Sequence, residues 1–123
     1  MKKIPRVGKS LQIAADFIDC RFPLETPLKI KKRALEILKK TKIEVLKSAF
    51  VIYPTNKGAT IIFVLADSHL ALHTWPEKKL VNFDLFLCNY EEDNSEKVEK
   101  AFEEMKKFFA PKKVKARRIR RVT

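Results

Sequence analysis

Within the eleven residues from Asp67 to Glu77 the chain gathers two carboxylates, a serine hydroxyl, its only tryptophan (Trp75) and both of its histidines, His69 and His73. Cys88 follows twenty residues after Ser68, at the end of an apolar strand pattern. A hydroxyl, imidazoles and a thiol are the side chains of nucleophilic attack and proton transfer. Taken singly, each has an ordinary reading. A strand histidine is commonly a satisfied polar residue, a lone cysteine a small core residue, and Asp-Ser a turn. Their concentration points instead to Ser68, His73 and Cys88 acting as one site. The pattern does not name a reaction. There is no Gly-x-Ser-x-Gly elbow, no further residue that plainly orients a histidine as in a triad, and no glycine-rich phosphate loop. Two cysteines without a Cys-x-x-Cys pair indicate neither a disulfide framework nor a zinc site, so no metal is expected.

The elements that must hold these residues read as follows. Lys9 to Ile18 alternates as a first strand, with Leu11, Ile13, Ala15 and Phe17 on one face. Thr26-Pro27 opens a helix, Thr26 as N-cap, with Ile30, Ala34, Ile37 and Leu38 as its apolar stripe. Ile43 to Tyr53 is a β-branched, aromatic strand, and Pro54 to Gly58 a turn in which Gly permits positive φ. Ala59 to Ala66 is nearly unbroken apolar sequence, expected to be a central strand buried on both sides. From Ser68 to Trp75 the pattern alternates. Ser68, Leu70, Leu72 and Thr74 share one face; His69, Ala71, His73 and Trp75 share the other. Leu80 to Cys88 is a further strand, with Asn82, Asp84, Phe86 and Cys88 on its more polar face. Asp93, Asn94 and Ser95 are cap candidates for a helix carrying Val98, Ala101, Phe102, Met105, Phe108 and Phe109. Pro111 closes it. Val114 to Val122 is a last, basic strand whose charge protects an exposed edge. The expected fold is a single α+β domain over residues 1–123, a two-layer sandwich with an antiparallel-leaning sheet and two helices on one face. The other face then needs a cover, and a homodimer packed through its sheets supplies one.

A net charge of +12 could signal a nucleic-acid partner. Seven of the last twelve residues are basic, however, so much of the excess is a terminal feature. No nucleic-acid-binding motif accompanies it, and nucleic acid is not expected as a partner. No apolar run reaches the roughly 18 residues of a membrane span, and the basic start Met1 to Arg6 leads into no signal sequence. A cytoplasmic protein is expected.

The stretch Asp67-Ser68-His69-Leu70-Ala71-Leu72-His73-Thr74-Trp75-Pro76-Glu77 resembles the processing segment of the short, prokaryotic-type S-adenosylmethionine decarboxylases. Its usual form there is Glu-Ser-His, an apolar triplet, then His-Thr-Trp-Pro-Glu. Phe83 to Cys88 resembles the next strand of that family, and chain length, element order and the basic last strand also fit. The resemblance implies a self-processing, pyruvoyl-dependent decarboxylase. The Ser68 hydroxyl would attack the Asp67 carbonyl, with Thr60 in the place of a hydroxyl that assists. His73 would remove the Ser68 α-proton, and the chain would split between 67 and 68. Ser68 would become the pyruvoyl group, which forms a Schiff base with the substrate amine and serves as electron sink. Cys88 would return a proton to the substrate carbon. Glu77 matches a ribose-binding Glu, and Tyr53 lies near an aromatic that stacks on adenine. The small-molecule substrate would be S-adenosylmethionine, giving the aminopropyl donor for spermidine.

Three departures accompany the match. Asp67 stands where Glu is usual, Asn89 follows Cys88 where Gly is usual, and Ser10 lies where many members carry an early His. Two alternatives therefore stay open beside the first reading. One is a pyruvoyl-dependent decarboxylase of arginine or another basic amino acid. The other is an uncleaved paralogue that binds a partner or nucleic acid through its basic tail.

Overall fold

The computed structural model describes residues 9–90 and 92–123. The reading of Met1 to Arg6 lies outside the described residues. Six strands form one antiparallel sheet: β1 (Ser10–Cys20), β2 (Val45–Ile52), β3 (Ala59–Leu65), β4 (Ser68–Trp75), β5 (Leu80–Leu87) and β6 (Pro111–Arg121). Helix α1 (Pro27–Lys40) joins β1 to β2, and α2 (Ser95–Phe109) joins β5 to β6. The spatial order is β2-β3-β4-β5-β1-β6. The chain's first strand thus inserts between β5 and β6, which leaves β4, the carrier of Ser68 and His73, and β5, which leads into Cys88, in the middle.

Alternation decides which face each residue joins. Leu11, Ile13, Ala15 and Phe17 of β1, Leu70 and Leu72 of β4, and Val81, Phe83, Leu85 and Leu87 of β5 are buried beneath the helices. They meet Ile30, Ala34, Ile37 and Leu38 of α1 and Val98, Ala101, Phe102, Met105 and Phe109 of α2 in one core. Phe17 is its hub, with ring centroids 5.5 Å from Phe83, 5.9 Å from Phe102 and 5.8 Å from Phe109, separations at which aromatic rings attract beyond simple burial. The strands' other residues form a face that neither helix covers.

Several local expectations are corrected. Within a single chain β3 is buried on one side only. Ile61, Phe63 and Leu65 point into the core, whereas Val64 on the open face is 46% exposed, because both helices lie on a single side. β1 runs past Ile18 to Cys20, since its pairing with β6 continues to the Cys20–Pro111 register. Thr26 precedes α1 but its hydroxyl donates to the Pro23 carbonyl at 2.8 Å and does not cap the helix. Asn94 precedes α2, yet the exposed helix amide of Ser95 is met by the Asp93 carboxylate at 2.9 Å, while Asn94 turns inward. In the β2–β3 turn the positive φ falls on Lys57, at 60°. Gly58 is required for space: a Cβ there would lie 2.6 Å from the Thr74 carbonyl oxygen. β6 is the sheet's edge and carries the basic residues, as its composition implies.

Candidate active site

Ala66 and Asp67 form a two-residue turn between β3 and β4, with Leu65 paired to Ser68 across it. The tight reversal forces Ser68 to φ 151°, a region L-residues rarely occupy. Such a conformation costs about 1–3 kcal/mol and persists only where surrounding contacts hold it. Those contacts converge on the peptide just before Ser68. The Cys88 backbone N–H donates to the Asp67 carbonyl oxygen at 2.8 Å. The Asn94 side-chain amide donates to the Cys88 carbonyl at 2.9 Å and to the Asp67 carboxylate at 3.3 Å. Asn89 builds the loop behind, taking the Asn94 N–H on its Oδ1 at 2.9 Å and donating to the Lys9 carbonyl at 3.0 Å. Its own N–H donates to the Ser10 hydroxyl at 2.8 Å. A polarised carbonyl, a hydroxyl on the next residue and backbone strain are together what an intramolecular acyl shift needs. The Cys88 thiol is pushed above its usual range, mainly by burial and secondarily by the Asp67 carboxylate. It therefore keeps its proton at neutral pH and can donate it.

His73 is not at this turn. It lies five residues along β4 from Ser68, about 16 Å at the usual strand rise of about 3.3 Å per residue. Within one chain Ser68 and Cys88 lie at the same turn, and His73 belongs to a second cluster. There its Nδ1 lies 3.1 Å from the Thr60 hydroxyl, which lies 3.1 Å from the Tyr53 hydroxyl. The cross-strand register Thr60–His73 places the first pair side by side. Glu77 sits in a 3₁₀ turn at the same end of β4, both carboxylate oxygens accepting from Asn56 Nδ2 at 3.1 and 3.2 Å. Trp75 is not a core residue. It is 39% exposed on the open face, its indole N–H donating to Asn82 at 2.8 Å.

A polar chain runs across the strands of the open face from the β6 edge to Ser68. Arg121 donates to Gln12 at 2.7 Å, Gln12 to Asp84 Oδ1 at 2.9 Å, and His69 Nε2 lies 3.3 Å from Asp84 Oδ2. His69 Nδ1 is 3.5 Å from the Ser68 hydroxyl. Sequence reasoning missed four contributors. Asn94 read as a cap candidate, Asn89 as a departure from the usual Gly after Cys88, Asn56 as part of a turn, and Asp84 as one polar residue on a strand face. Asn89 and Asn94 are almost fully enclosed, and polarity at such positions, with the departure from Gly at Asn89, was the available signal for those two. Among the described residues no set of His, Cys, Asp and Glu side chains is grouped to hold a metal ion, and no helix is long and apolar enough to cross a membrane.

The arrangement has counterparts. The sequence profile of the family described as S-adenosylmethionine decarboxylase matches residues 11–122. The chain belongs to the S-adenosylmethionine decarboxylase family. A relative named S-adenosylmethionine decarboxylase proenzyme, from Thermoplasma volcanium, is 32% identical over 118 residues, covering 93% of this chain and 85% of its own. One of the same name from Archaeoglobus fulgidus is 46% identical over 54 residues, 44% of this chain and 45% of that one. The matched stretch thus spans less than half of the latter relative, and 58% of a Pyrococcus abyssi relative. The crystal structure of the adenosylmethionine decarboxylase from Aquifex aeolicus VF5 superposes with a TM-score of 0.82 over 94% of this chain and 92% of its own, at 23% identity. That likeness is one of fold. Within the S-adenosylmethionine decarboxylase family, the Asn89 and Ser10 departures have a shared structural account, since the two residues hydrogen-bond one another and brace the Cys88 loop.

Proposed function

We propose that the chain is a self-processing decarboxylase of S-adenosylmethionine, cut between Asp67 and Ser68 so that Ser68 yields a pyruvoyl group. The single observation that carries this reading is the Asp67 carbonyl, held by the Cys88 N–H at 2.8 Å next to a Ser68 strained to φ 151°. Attack by the hydroxyl places negative charge on that oxygen, where the Cys88 amide already points. Asn94 keeps the Cys88 segment and the Asp67 side chain in place as the peptide geometry changes. These residues fit a pyruvoyl group formed in situ, because the new N-terminus would remain beside Cys88. When present, that group supplies a carbonyl that binds an amine and withdraws electrons from it. Cys88 Sγ, protonated at neutral pH, serves as the proton donor once CO₂ has left. In this proposal Glu77 binds the ribose and Tyr53, linked to His73 through Thr60, stacks on the adenine.

His73 must reach a Ser68 α-proton about 16 Å away along its own strand. A second copy resolves this. The open face carries Val51, Val64, Trp75 and Ile119, each more than a third exposed, and two such faces packed antiparallel would set the His73–Thr60–Tyr53 cluster of one copy against the Ser68–Cys88 turn of the other. The working unit in this proposal is a homodimer with two shared sites.

Intact mass spectrometry tests the cut. The expected products are residues 1–67 and residues 68–123, the latter carrying a pyruvoyl group in place of Ser68. Co-expression tests the sharing. A His73→Ala chain should stay whole alone but be cut when paired with a Ser68→Ala chain, which supplies an intact His73. CO₂ release from S-adenosylmethionine, measured against arginine, tests the substrate. A full-length mass after prolonged warming would overturn the enzymatic reading, and release from arginine alone would overturn the substrate.

A further inference from the structure

The His69 ring has a defined partner at each nitrogen. Its Nε2 faces Asp84 Oδ2 at 3.3 Å and its Nδ1 faces the Ser68 hydroxyl at 3.5 Å. Asp84 is itself fixed, because its other oxygen accepts from Gln12 at 2.9 Å and Gln12 is held by Arg121 at 2.7 Å. The ring of Phe86 packs edge-on against the imidazole, centroids 6.1 Å apart. A carboxylate accepts and cannot donate, so the ring proton of neutral His69 belongs on Nε2. Nδ1 is then left with a lone pair aimed at the Ser68 hydroxyl. This is the oriented nucleophile–base–acid arrangement, assembled from two adjacent residues of β4 and one of β5. The strands bring Asp84 into place: His69 pairs with Phe86, two residues beyond Asp84 on the same face of β5.

We propose that His69 Nδ1 is the base that activates Ser68 for chain cleavage, with Asp84 as the positioning residue that sets its tautomer. The proposal rests on the self-processing reading above. In the step, the Ser68 Oγ–H proton moves to His69 Nδ1 as an Oγ lone pair bonds to the Asp67 carbonyl carbon. The carbonyl π pair moves onto oxygen, where the Cys88 N–H receives it. As that pair returns, the bond from carbon to the Ser68 nitrogen breaks, and the nitrogen takes the proton back from the imidazolium. The products are an ester at Asp67 and a free amine, with nothing oxidised or reduced. The 3.5 Å separation is long, as catalytic hydrogen bonds commonly are before the reacting group moves. His69 and His73 thereby take different proton transfers: His69 acts before the ester and His73 on the α-proton after it.

Hydroxylamine distinguishes these stages, because it cleaves an ester but leaves an amide intact. His69→Gln retains an N–H for Asp84 and cannot take a proton. Its spontaneous cutting should fall on the order of 10²–10⁴-fold, the usual loss with a general base, and hydroxylamine should not cut it. His73→Ala should stay whole until hydroxylamine splits it at 67/68. Free imidazole should restore cutting to His69→Gly, which a merely structural role would not produce. Asp84→Ala should block at the same hydroxylamine-resistant stage, and Asp84→Glu should recover part of the rate. Thermal melting matching Ser68→Ala establishes that each variant is folded. Wild-type cutting with equal cutting in His69→Gln overturns His69 alone. Hydroxylamine cleavage of uncut His69→Gln also overturns it, because the ester would have formed without that base. A wild-type chain that neither cuts nor responds to hydroxylamine removes the self-processing reading and this one with it.

Discussion

The strain at Ser68 can be measured without any catalysis. Ser68→Ala and Ser68→Gly both lack the hydroxyl, so both remain whole and can be compared as folded proenzymes. Alanine must still adopt φ 151°, whereas glycine does so without a Cβ clash. Relief of the conformation is worth about 1–3 kcal/mol. Glycine's larger freedom in the unfolded chain returns about 0.4–1 kcal/mol of that. Ser68→Gly should therefore be the more stable of the two by about 0.5–2 kcal/mol. At about 2.1 cal/mol/K per residue of unfolding entropy and 123 residues, 1 kcal/mol corresponds to about 4 °C. The expected separation in melting temperature is about 2–8 °C, read by circular dichroism or calorimetry at equal protomer concentration. The Ala comparison removes the loss of the serine hydroxyl, leaving backbone conformation as the difference. Equal melting temperatures, or a more stable Ser68→Ala, would refute the claim that the cleavage turn stores strain and would remove one support of the processing mechanism.

Cys88→Ala should still permit some chain cutting, because the backbone N–H survives the change, but turnover of processed enzyme should fall about 10²–10⁴-fold; wild-type turnover in that variant would take Cys88 out of the site. Asn94→Ala leaves the Cys88 carbonyl without its side-chain donor and should cost about 1–3 kcal/mol, with slower cutting in the same protein by intact mass; unchanged melting and unchanged cutting would show that the loop holds itself. Burial pushes the Cys20 thiol up to about 11, so iodoacetamide at pH 8 should alkylate Cys20 only after unfolding, as peptide mapping would reveal. Glu99 is held below its usual carboxylate range chiefly by the hydrogen bond from Arg118. The stability it contributes is present above the unfolded carboxylate value and is lost as pH falls through the depressed folded value. Glu99→Gln should therefore lose stability relative to wild type at neutral pH and converge with it in acid, as paired urea titrations at the two pH values would detect.

Local patterns in the sequence were sufficient for most of the secondary structure and for the faces. Period-two alternation in β1, β4 and β5 and period-3.6 stripes in both helices follow from backbone geometry, and burial followed them at most positions, with Ala71 buried on the open face and Phe108 only half-buried as exceptions. The family was legible because the run from Asp67 to Glu77 concentrates rare side chains in a fixed order. Other features depended on the sheet order, which no local pattern encodes. Insertion of β1 between β5 and β6 set Gln12 beside Asp84 and Ser10 beside Asn89, contacts that span more than seventy residues of chain. Antiparallel pairing of β4 with β5 gave His69 the orienting carboxylate that the linear sequence appeared to lack. The same strand geometry separated Ser68 from His73, since five residues of extended chain form a distance although they look like proximity in a motif. Sequence determined which side chains were available and which face each would take; only the tertiary structure decided which of them touch, because hydrogen bonds between strands join residues by register and not by spacing along the chain.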